Sequence, residues 1–530
     1  MTETICDTSL VDAQNVIVTV SATTAPVEPG GTLRTDTLAD SVLILMGMTV
    51  LQRLVGFTRS VLVCRWMSPQ ELGQWDMAFG FLILAGPLAI LGLPGSFGRY
   101  VEYFRQRGQL RTFLWRTTTV TAVLSVMAAA VLALRPQWFS RFVFGDDNHL
   151  SQITLMAGGL LVIIAYMFMT ELFTALRLYR VSSGLQFFNS LSFATLSVVL
   201  LLAWRPTATS MLLAYAGACL LAALAALVWV RRVWRELPPV PRPTGHREFW
   251  RKLIPFAMWV WTTNWLTNLF EIADRYMLLH FGPFSPAVAM EQVGHYHSAR
   301  VVPILLVSVA GLMGSLLLPH LSHDWETGRR DEVSRRVNMT VKLFGLLLIA
   351  GGATILLASP LLFGVVFQGK YDGGLAVLPL TLAYCCWFAM ALLVESYLWC
   401  SEHAGLGSLA FAVALVVNIA FNLLLVPSYG LYGAVVATAL ANVAGLLLVY
   451  AFGQMCGLRL VRGTWIVSAL PLLFLLGPLA TGLGLLTVLG FAIFSSALFS
   501  SAEKQSLAEI RDQYLDKFRA WRHQTSISSS

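Results

Sequence analysis

Long uncharged runs constrain this chain more than any other feature. Residues 463–500 form thirty-eight consecutive positions without Asp, Glu, Lys or Arg. A helix needs about 20 apolar residues to cross a hydrocarbon core about 30 Å thick. Gly477, Pro478, Gly482 and Gly484 lie near the middle of the run, where a tight reversal requires such residues. The run therefore predicts two membrane spans joined by a hairpin.

The same pattern extends along most of the 530 residues, of which 57% are hydrophobic and only 12% charged. Soluble domains carry about 25% charged residues, so the composition excludes a water-soluble fold. We predict an all-α integral membrane protein with about fourteen spans, twelve being the alternative count. The spans are placed near 38–66, 74–96, 112–134, 151–176, 183–204, 208–231, 251–281, 290–320, 338–359, 373–401, 404–426, 432–453, 463–481 and 483–500.

Basic residues are distributed unevenly between the two sides of this map. With the N-terminus inside, cytoplasmic segments hold 27 of the 36 Lys and Arg residues, outside loops hold four and spans hold five. Lys and Arg accumulate in cytoplasmic loops, so we predict a multi-pass protein of the cytoplasmic (inner) membrane with both termini cytoplasmic. The topology explains the net charge of +8 without any nucleic-acid partner.

Composition shifts divide the chain into predicted regions. Two six-helix lobes, 37–235 and 251–455, flank a cytoplasmic Pro-rich linker, 236–250, and two additional spans occupy 460–500. Residues 56–75 and 270–296 can be aligned so that Arg59 matches Arg275 and Gly73 matches Gly294. The lobes would then be repeats with pseudo-twofold symmetry, an arrangement typical of alternating access.

The two ends of the chain and the cysteines carry weaker signals. We expect residues 1–36 to be a disordered cytoplasmic tail and residues 501–530 an amphipathic cytoplasmic tail, whose helix Ser500 and Glu503 would cap. The seven cysteines lack metal-ligand spacing. We expect no metal, no cofactor and no catalytic residue.

Charged residues inside spans are the functional candidates, because an ion at mid-bilayer costs about 2.5–3.5 kcal/mol on insertion scales. Guanidinium groups match phosphate oxygens bidentately. We therefore predict substrate binding for the arginines in spans, with salt bridges as the alternative, and a local ion pair of Glu271 with Arg275 is equally compatible with their spacing. The candidates are Arg53, Arg59, Arg275 and Arg300.

The acidic residues in or next to spans are candidates for coupling transport to an H⁺ or Na⁺ gradient. The sequence shows no ATP-binding motif that would supply energy instead. The candidates are Asp76, Glu271, Asp274 and Glu395.

Three stretches carry a resemblance to a known group of proteins. They are 53–75, with its Arg-x-x-Gly-x-x-Arg pattern, 295–323 and 422–442. They resemble the oligosaccharide and polysaccharide flippases of the multidrug/oligosaccharidyl-lipid/polysaccharide exporter superfamily, polysaccharide biosynthesis proteins related to the lipid II flippases. The resemblance covers roughly residues 38–500.

The resemblance implies a transporter rather than an enzyme. Such a flippase moves a polyprenyl-pyrophosphate-linked oligosaccharide across the membrane by alternating access, and Arg53, Arg59 and Arg300 match the family's cavity arginines. The implied partners are the lipid-linked saccharide, membrane lipids, the coupling ion and polysaccharide polymerase or assembly proteins. Ser60 stands where lipid II flippases commonly have an acid.

Three alternative functions remain open at this point. The first is a lipid II flippase in peptidoglycan synthesis. The second is an ion-coupled multidrug antiporter, which would favour acids over arginines in its cavity. The third is a membrane enzyme acting on lipid-linked sugars, which usually carries a large outside loop.

Overall fold

The computed structural model describes residues 38–237 and 245–496, and beyond them residues 498–501, 503–505, 508, 509 and 512. All regular elements within these residues are helical, so the predicted all-α fold class is confirmed. The predicted tail 1–36 and most of the tail 501–530 lie outside the described residues. In chain order the α-helices are α1 (Leu38–Trp66), α2 (Pro69–Ala89), α3 (Phe97–Gln106), α4 (Leu110–Leu134), α5 (Pro136–Phe144), α6 (Leu150–Ala175), α7 (Tyr179–Ala203), α8 (Ala208–Glu236), α9 (His246–Phe281), α10 (Pro286–Arg300), α11 (Pro303–Glu326), α12 (Arg330–Leu361), α13 (Asp372–Cys400), α14 (Ala404–Met455), α15 (Arg462–Ala469) and α16 (Pro478–Phe494).

Within the described residues, nine helices are long and apolar enough to cross a membrane. They are α2, α4, α6, α7, α8, α11, α12, α13 and α14. Helix α14 has 52 residues and bends at Gly430, whose φ of 53° and ψ of −128° are not helical. It therefore contains both spans predicted at 404–426 and 432–453. The total of about fourteen spans stays a prediction.

One predicted span is interrupted. The sequence analysis placed a single span at 290–320, but α10 ends at Arg300 and α11 begins at Pro303. Proline lacks an amide hydrogen and suits the first position of a helix, so a new helix begins there. Helix α10 is also much less apolar than α11, since it carries Glu291, His295, His297 and Arg300.

Helix α2 has clear local signals at both ends. The side chain of Ser68 accepts a hydrogen bond from the backbone N–H of Glu71 at 3.3 Å, and Pro69 occupies the first helical position. After the helix ends, Leu91 (φ 50°) and Gly92 (φ 64°) adopt left-handed backbone conformations. The chain then turns into the short helix α3.

The described chain forms two compact units, and the first contains the described residues up to His280 together with 284–294. In this unit α9 runs antiparallel beside α2 and α3. Gly80 contacts Ile272, Gly92 contacts Trp261, and the hydroxyl of Tyr100 donates a hydrogen bond to the carbonyl of Lys252 at 3.0 Å. The unit thus includes α9 as well as the predicted first lobe. The boundary of the six-helix lobes at 236–250 stays a prediction.

The two glycines aligned in the predicted repeat meet where α2 crosses α10. A Cβ at Gly73 would overlap the carbonyl oxygen of Met290, four residues before Gly294. A Cβ at Gly294 would overlap the carbonyl oxygen of Pro69, four residues before Gly73. Small residues permit such close approach of helix backbones in membranes. The alignment of the two segments as repeats stays a prediction.

We expect Gly73→Ala and Gly294→Ala each to lower the free energy of unfolding by about 1–3 kcal/mol, the usual cost of overpacking. The added methyl group must push α2 and α10 apart. Thermal unfolding of the purified protein would measure the change. Gly158→Ala is the control, because nothing lies within 4 Å of a Cβ at that helical position. Equal stability of all three variants would contradict this account of the crossing.

The second unit contains described residues 281–283 and those from His295 onward. Helix α13 lies at its centre, packed against α11, α12 and α14, and most of its side chains are buried. The last helices pack onto this core, where the indole N–H of Trp387 donates to the carbonyl of Ser468 at 2.9 Å. Residues 470–476 continue α15 as a 3₁₀ helix, and the chain reverses at Gly477 with φ 92°. The predicted hairpin is present at this position.

The segment after α16 is bound to α12 by hydrogen bonds and an ion pair. The backbone N–H of Ser500 donates to Glu503 at 2.8 Å, and the backbone N–H of Glu503 donates to the Ser500 hydroxyl at 3.3 Å, which is the predicted capping box. Lys342 Nζ, on a side chain only 1% exposed, donates to Glu503 at 2.5 Å and to the carbonyl of Leu498 at 3.2 Å.

We expect Glu503→Gln to loosen this segment at neutral pH, because it leaves the buried Lys342 ammonium without its counter-ion. Burial raises the pKa of Glu503, but hydrogen bonds from Lys342 and Ser500 outweigh burial and hold the pKa below its ordinary 4.5. The ionised carboxylate therefore stabilises the fold above that value, and its contribution is lost as pH falls through the lowered pKa.

Hydrogen exchange of residues 498–505, corrected for the intrinsic pH dependence of exchange, would measure the loosening. The variant should exchange faster than the wild type at neutral pH, and the difference should vanish in strong acid. Glu509→Gln removes a charge from the same segment and serves as the control. Unchanged protection in Glu503→Gln would show that the ion pair does not hold the segment.

Candidate functional site

The structure divides the predicted site residues between the two units. The second unit holds Arg300 and Glu395, and the first holds Arg53, Arg59, Asp76, Glu271, Asp274 and Arg275. Their assigned roles in binding and coupling stay predictions, but their surroundings within each unit can be described.

Two of the candidates, predicted for different roles, form an ion pair. Arg275 Nε on α9 lies 2.9 Å from Asp76 Oδ2 on α2, and the side chains are 11% and 4% exposed. Gly80, one turn after Asp76, makes room for this approach, because a Cβ there would lie 3.3 Å from Arg275 Nη1. Arg275 therefore pairs across two helices, and not with Glu271 on its own helix. The pair neutralises a predicted anion-binding group and a predicted coupling group.

The two other acids of α9 differ in their exposure. Asp274 is buried, with 3% of its surface exposed, whereas Glu271 is exposed. They are three positions apart in the sequence, so they lie near one another along the helix but differ in their exposure to solvent. Only Asp274 thus has the burial that an intramembrane coupling residue requires.

Arg59 lies against an aromatic cluster built by α2, α7 and α8. Its guanidinium carbon is 4.0 Å from the centre of the Phe193 ring. The Phe193 ring is 5.1 Å from that of Tyr215, and Tyr215 is in turn 5.1 Å from Phe79. Trp75 completes the cluster at 5.0 Å from Phe79. We call Trp75, Phe79, Phe193 and Tyr215 the aromatic cluster.

This environment stabilises the cation without cancelling its charge. An arginine stacked over a ring is attracted by the negative face of the ring, while the N–H groups at the edge of the guanidinium stay available to an acceptor. Within the described part of the chain Arg59 forms no ion pair. Arg53, six residues earlier on α1, is exposed. Of the two, Arg59 is the one held in a fixed environment.

The aromatic cluster was not part of the sequence-based prediction. One signal for it existed, because Trp75 and Phe79 are four residues apart and share a face of α2. Phe193 and Tyr215 come from later helices, and no spacing in the sequence connects them to Arg59. The tertiary packing of α1 and α2 with α7 and α8 brings them together.

In the second unit Arg300 is the last residue of α10, at the break before α11. Its guanidinium carbon lies 5.4 Å from the centre of the Tyr296 ring, and the hydroxyls of Tyr296 and Tyr384 are 3.3 Å apart. Glu395 on α13 is half-buried, and a Cβ at Gly407 would lie 2.9 Å from its Oε1. Arg300 and Glu395 are thus both packed against neighbours within this unit.

We expect Arg275→Gln to destabilise the protein by about 3–5 kcal/mol, because it removes the cation that lies 2.9 Å from the buried Asp76 carboxylate. The double variant Asp76→Asn with Arg275→Gln should regain most of that stability. Thermal unfolding in detergent would measure both, with the exposed Arg53→Gln as the control. A fully stable Arg275→Gln variant would show instead that Arg275 is held for something other than this pair.

Known structures share the fold described above. The lipid II flippase MurJ, in an inward closed conformation, matches with a TM-score of 0.66 and 11% identity over 85% of this chain and 99% of that one. An inward-facing multidrug resistance MATE family transporter of the MOP superfamily matches with a TM-score of 0.59 and 12% identity over 78% of this chain and 97% of that one. At these identities the likeness shows the fold alone.

Residues 38–324, more than half of the chain, match the polysaccharide biosynthesis protein family, and the chain belongs to this family. A probable low-salt glycan biosynthesis flippase, Agl15 of Haloferax volcanii, is 23% identical over 154 residues. Those residues make up 29% of this chain and 33% of Agl15, so the chain spans about a third of that relative's length. The predicted membership of the polysaccharide biosynthesis proteins is confirmed, and the long apolar helices indicate a multi-pass membrane protein.

Proposed function

We propose that this protein is a flippase that moves a polyprenyl-pyrophosphate-linked oligosaccharide across the cytoplasmic membrane for polysaccharide or cell-envelope biosynthesis. Its family supports this function, as does the glycan flippase named among its relatives. The shared fold with a lipid II flippase supports transport of a lipid-linked substrate. Both termini would be cytoplasmic, as the distribution of Lys and Arg indicates.

The observation that carries the proposal is the environment of Arg59. A pyrophosphate is an anion that must be bound where little water is present, and a guanidinium fork matches its oxygens. Arg59 is held 4.0 Å above Phe193 on a helix of the membrane region, and its charge is not cancelled by an acid within the described residues. A multidrug antiporter for organic cations would need the opposite charge at such a position.

The energy for transport would come from an ion gradient acting on the buried acids. Asp76 is held by Arg275 at 2.9 Å, which makes it a poor candidate for reversible ion binding. Asp274, which is buried, and Glu395, which is half-buried, stay candidates for that role. The protein would work by alternating access.

We expect Arg59→Gln to reduce flipping at least about tenfold, since a hydrogen bond to a charged group contributes about 1.5–3 kcal/mol. The assay would use proteoliposomes containing a fluorescent polyprenyl-pyrophosphate oligosaccharide, whose exposure to an external quencher reports its leaflet. Arg135→Gln is the matched control, because Arg135 also stacks on an aromatic ring, 5.6 Å from the centre of Trp138, but is exposed.

Unchanged flipping in a folded Arg59→Gln variant would exclude the proposed phosphate contact. If the wild type moved organic cations and no pyrophosphate-linked lipid, the flippase proposal itself would be wrong and the antiporter would take its place.

A further inference from the structure

A second group of basic residues surrounds a cavity of about 470 Å³ in the second unit. One face of α12 forms one wall, with Arg335, Asn338 and Lys342 spaced so that they share that face. The link before α15 supplies Arg459 and Arg462, and the segment after α16 closes the third side. We call this cavity the α12 pocket.

The α12 pocket lies where two apolar segments begin. Lys342 is followed by 27 uncharged residues up to Gln368 and Gly369, and Arg462 is followed by the uncharged run 463–500. Trp465, one turn into α15, is 41% exposed, and exposed Trp is enriched at the level of lipid headgroups. Two chain segments therefore change from polar to apolar beside the α12 pocket, as is expected at the level of lipid phosphates.

At the base of the α12 pocket, the polar groups of Asn338 and Lys342 have hydrogen-bond partners. The Asn338 carbonyl oxygen accepts hydrogen bonds from the backbone N–H of Val461 at 3.1 Å and from the Thr464 hydroxyl at 2.6 Å, and its amide donates to the carbonyl of Arg459 at 2.8 Å. Buried Lys342 is held by Glu503 at 2.5 Å. These contacts fix the link that carries the two arginines.

Two exposed arginines, Arg459 and Arg462, line the rim of the α12 pocket. Arg459 faces Asp331 at 3.2 Å, but these side chains are 82% and 87% exposed, so water weakens that pair. Arg462 is exposed and makes no ion pair among the residues that the structure describes. Two guanidinium groups thus stand three residues apart above a polar floor.

We propose that the α12 pocket binds the phosphate of an anionic membrane phospholipid, with Arg459 and Arg462 as the direct contacts. Basic pockets between membrane helices on the cytoplasmic side suit such headgroups, and a guanidinium fork matches phosphate oxygens. The bound lipid would hold the link before α15 and the segment 498–503 together at the membrane surface. This binding site does not depend on the transport function proposed above.

The test uses the full chain purified in a neutral detergent and examined by native mass spectrometry with added phosphatidylglycerol or phosphatidylcholine of the same acyl chains. Arg459→Gln with Arg462→Gln should lower phosphatidylglycerol affinity by about tenfold or more. Arg231→Gln with Arg235→Gln is the control, because it removes the same charge from the exposed end of α8. Arg462→Gln alone keeps the Arg459 contact with Asp331 and should lose affinity to a smaller extent. Thermal unfolding verifies that each variant is folded.

Loss of phosphatidylglycerol in the pocket variants, with the control unchanged and phosphatidylcholine bound weakly throughout, would support the site. Equal loss in the control would show general surface attraction and overturn it, as would undiminished binding in both pocket variants. A parallel titration with polyprenyl pyrophosphate separates the sources of phosphate. If the pocket variants lost that ligand and kept phosphatidylglycerol, the α12 pocket would belong to the substrate and the present proposal would be wrong.

Discussion

The packing of α9 along α2 and α3 determines the geometry of the first unit. Glycines allow the backbones to approach closely, since Gly80 contacts Ile272 and Gly92 contacts Trp261. This approach brings Arg275 to 2.9 Å from Asp76. An isolated ion in hydrocarbon is expensive, and a close partner removes much of that cost. The close packing therefore brings the two charges together, and the ion pair in turn stabilises the contact between α2 and α9.

The arginines of the first unit are stabilised in two physically different ways. Arg275 is paired with a carboxylate, which removes its net charge from the site. Arg59 is placed over Phe193, and an aromatic face attracts a cation without a formal counter-charge. A binding site for a pyrophosphate needs the second arrangement, because a neutralised arginine has little attraction left for an anion. The two environments separate an arginine that is neutralised by a carboxylate from one whose charge is not cancelled, a difference that the sequence pattern does not show.

The sequence predicted those parts of the fold that depend on local pattern. The hairpin within 463–500 was predictable, because length and turn residues alone specify it. The partner of Arg275 was not, because Glu271 has the favourable local spacing and Asp76 lies on another helix. The break before Pro303 was also missed, since placing spans by length and hydropathy does not register the amide hydrogen that proline lacks.

Charged residues of both units lie beside apolar segments of the chain. Arg59, Asp76 and Arg275 lie within the segment that matches the family, 38–324. The residues of the α12 pocket follow that segment and stand at the ends of apolar runs, where water and headgroups are within reach. A buried lysine such as Lys342 is tolerable there because Glu503 returns to it from the end of the chain. An arginine on the rim needs no such partner, and a lipid phosphate can supply the counter-charge that the protein does not.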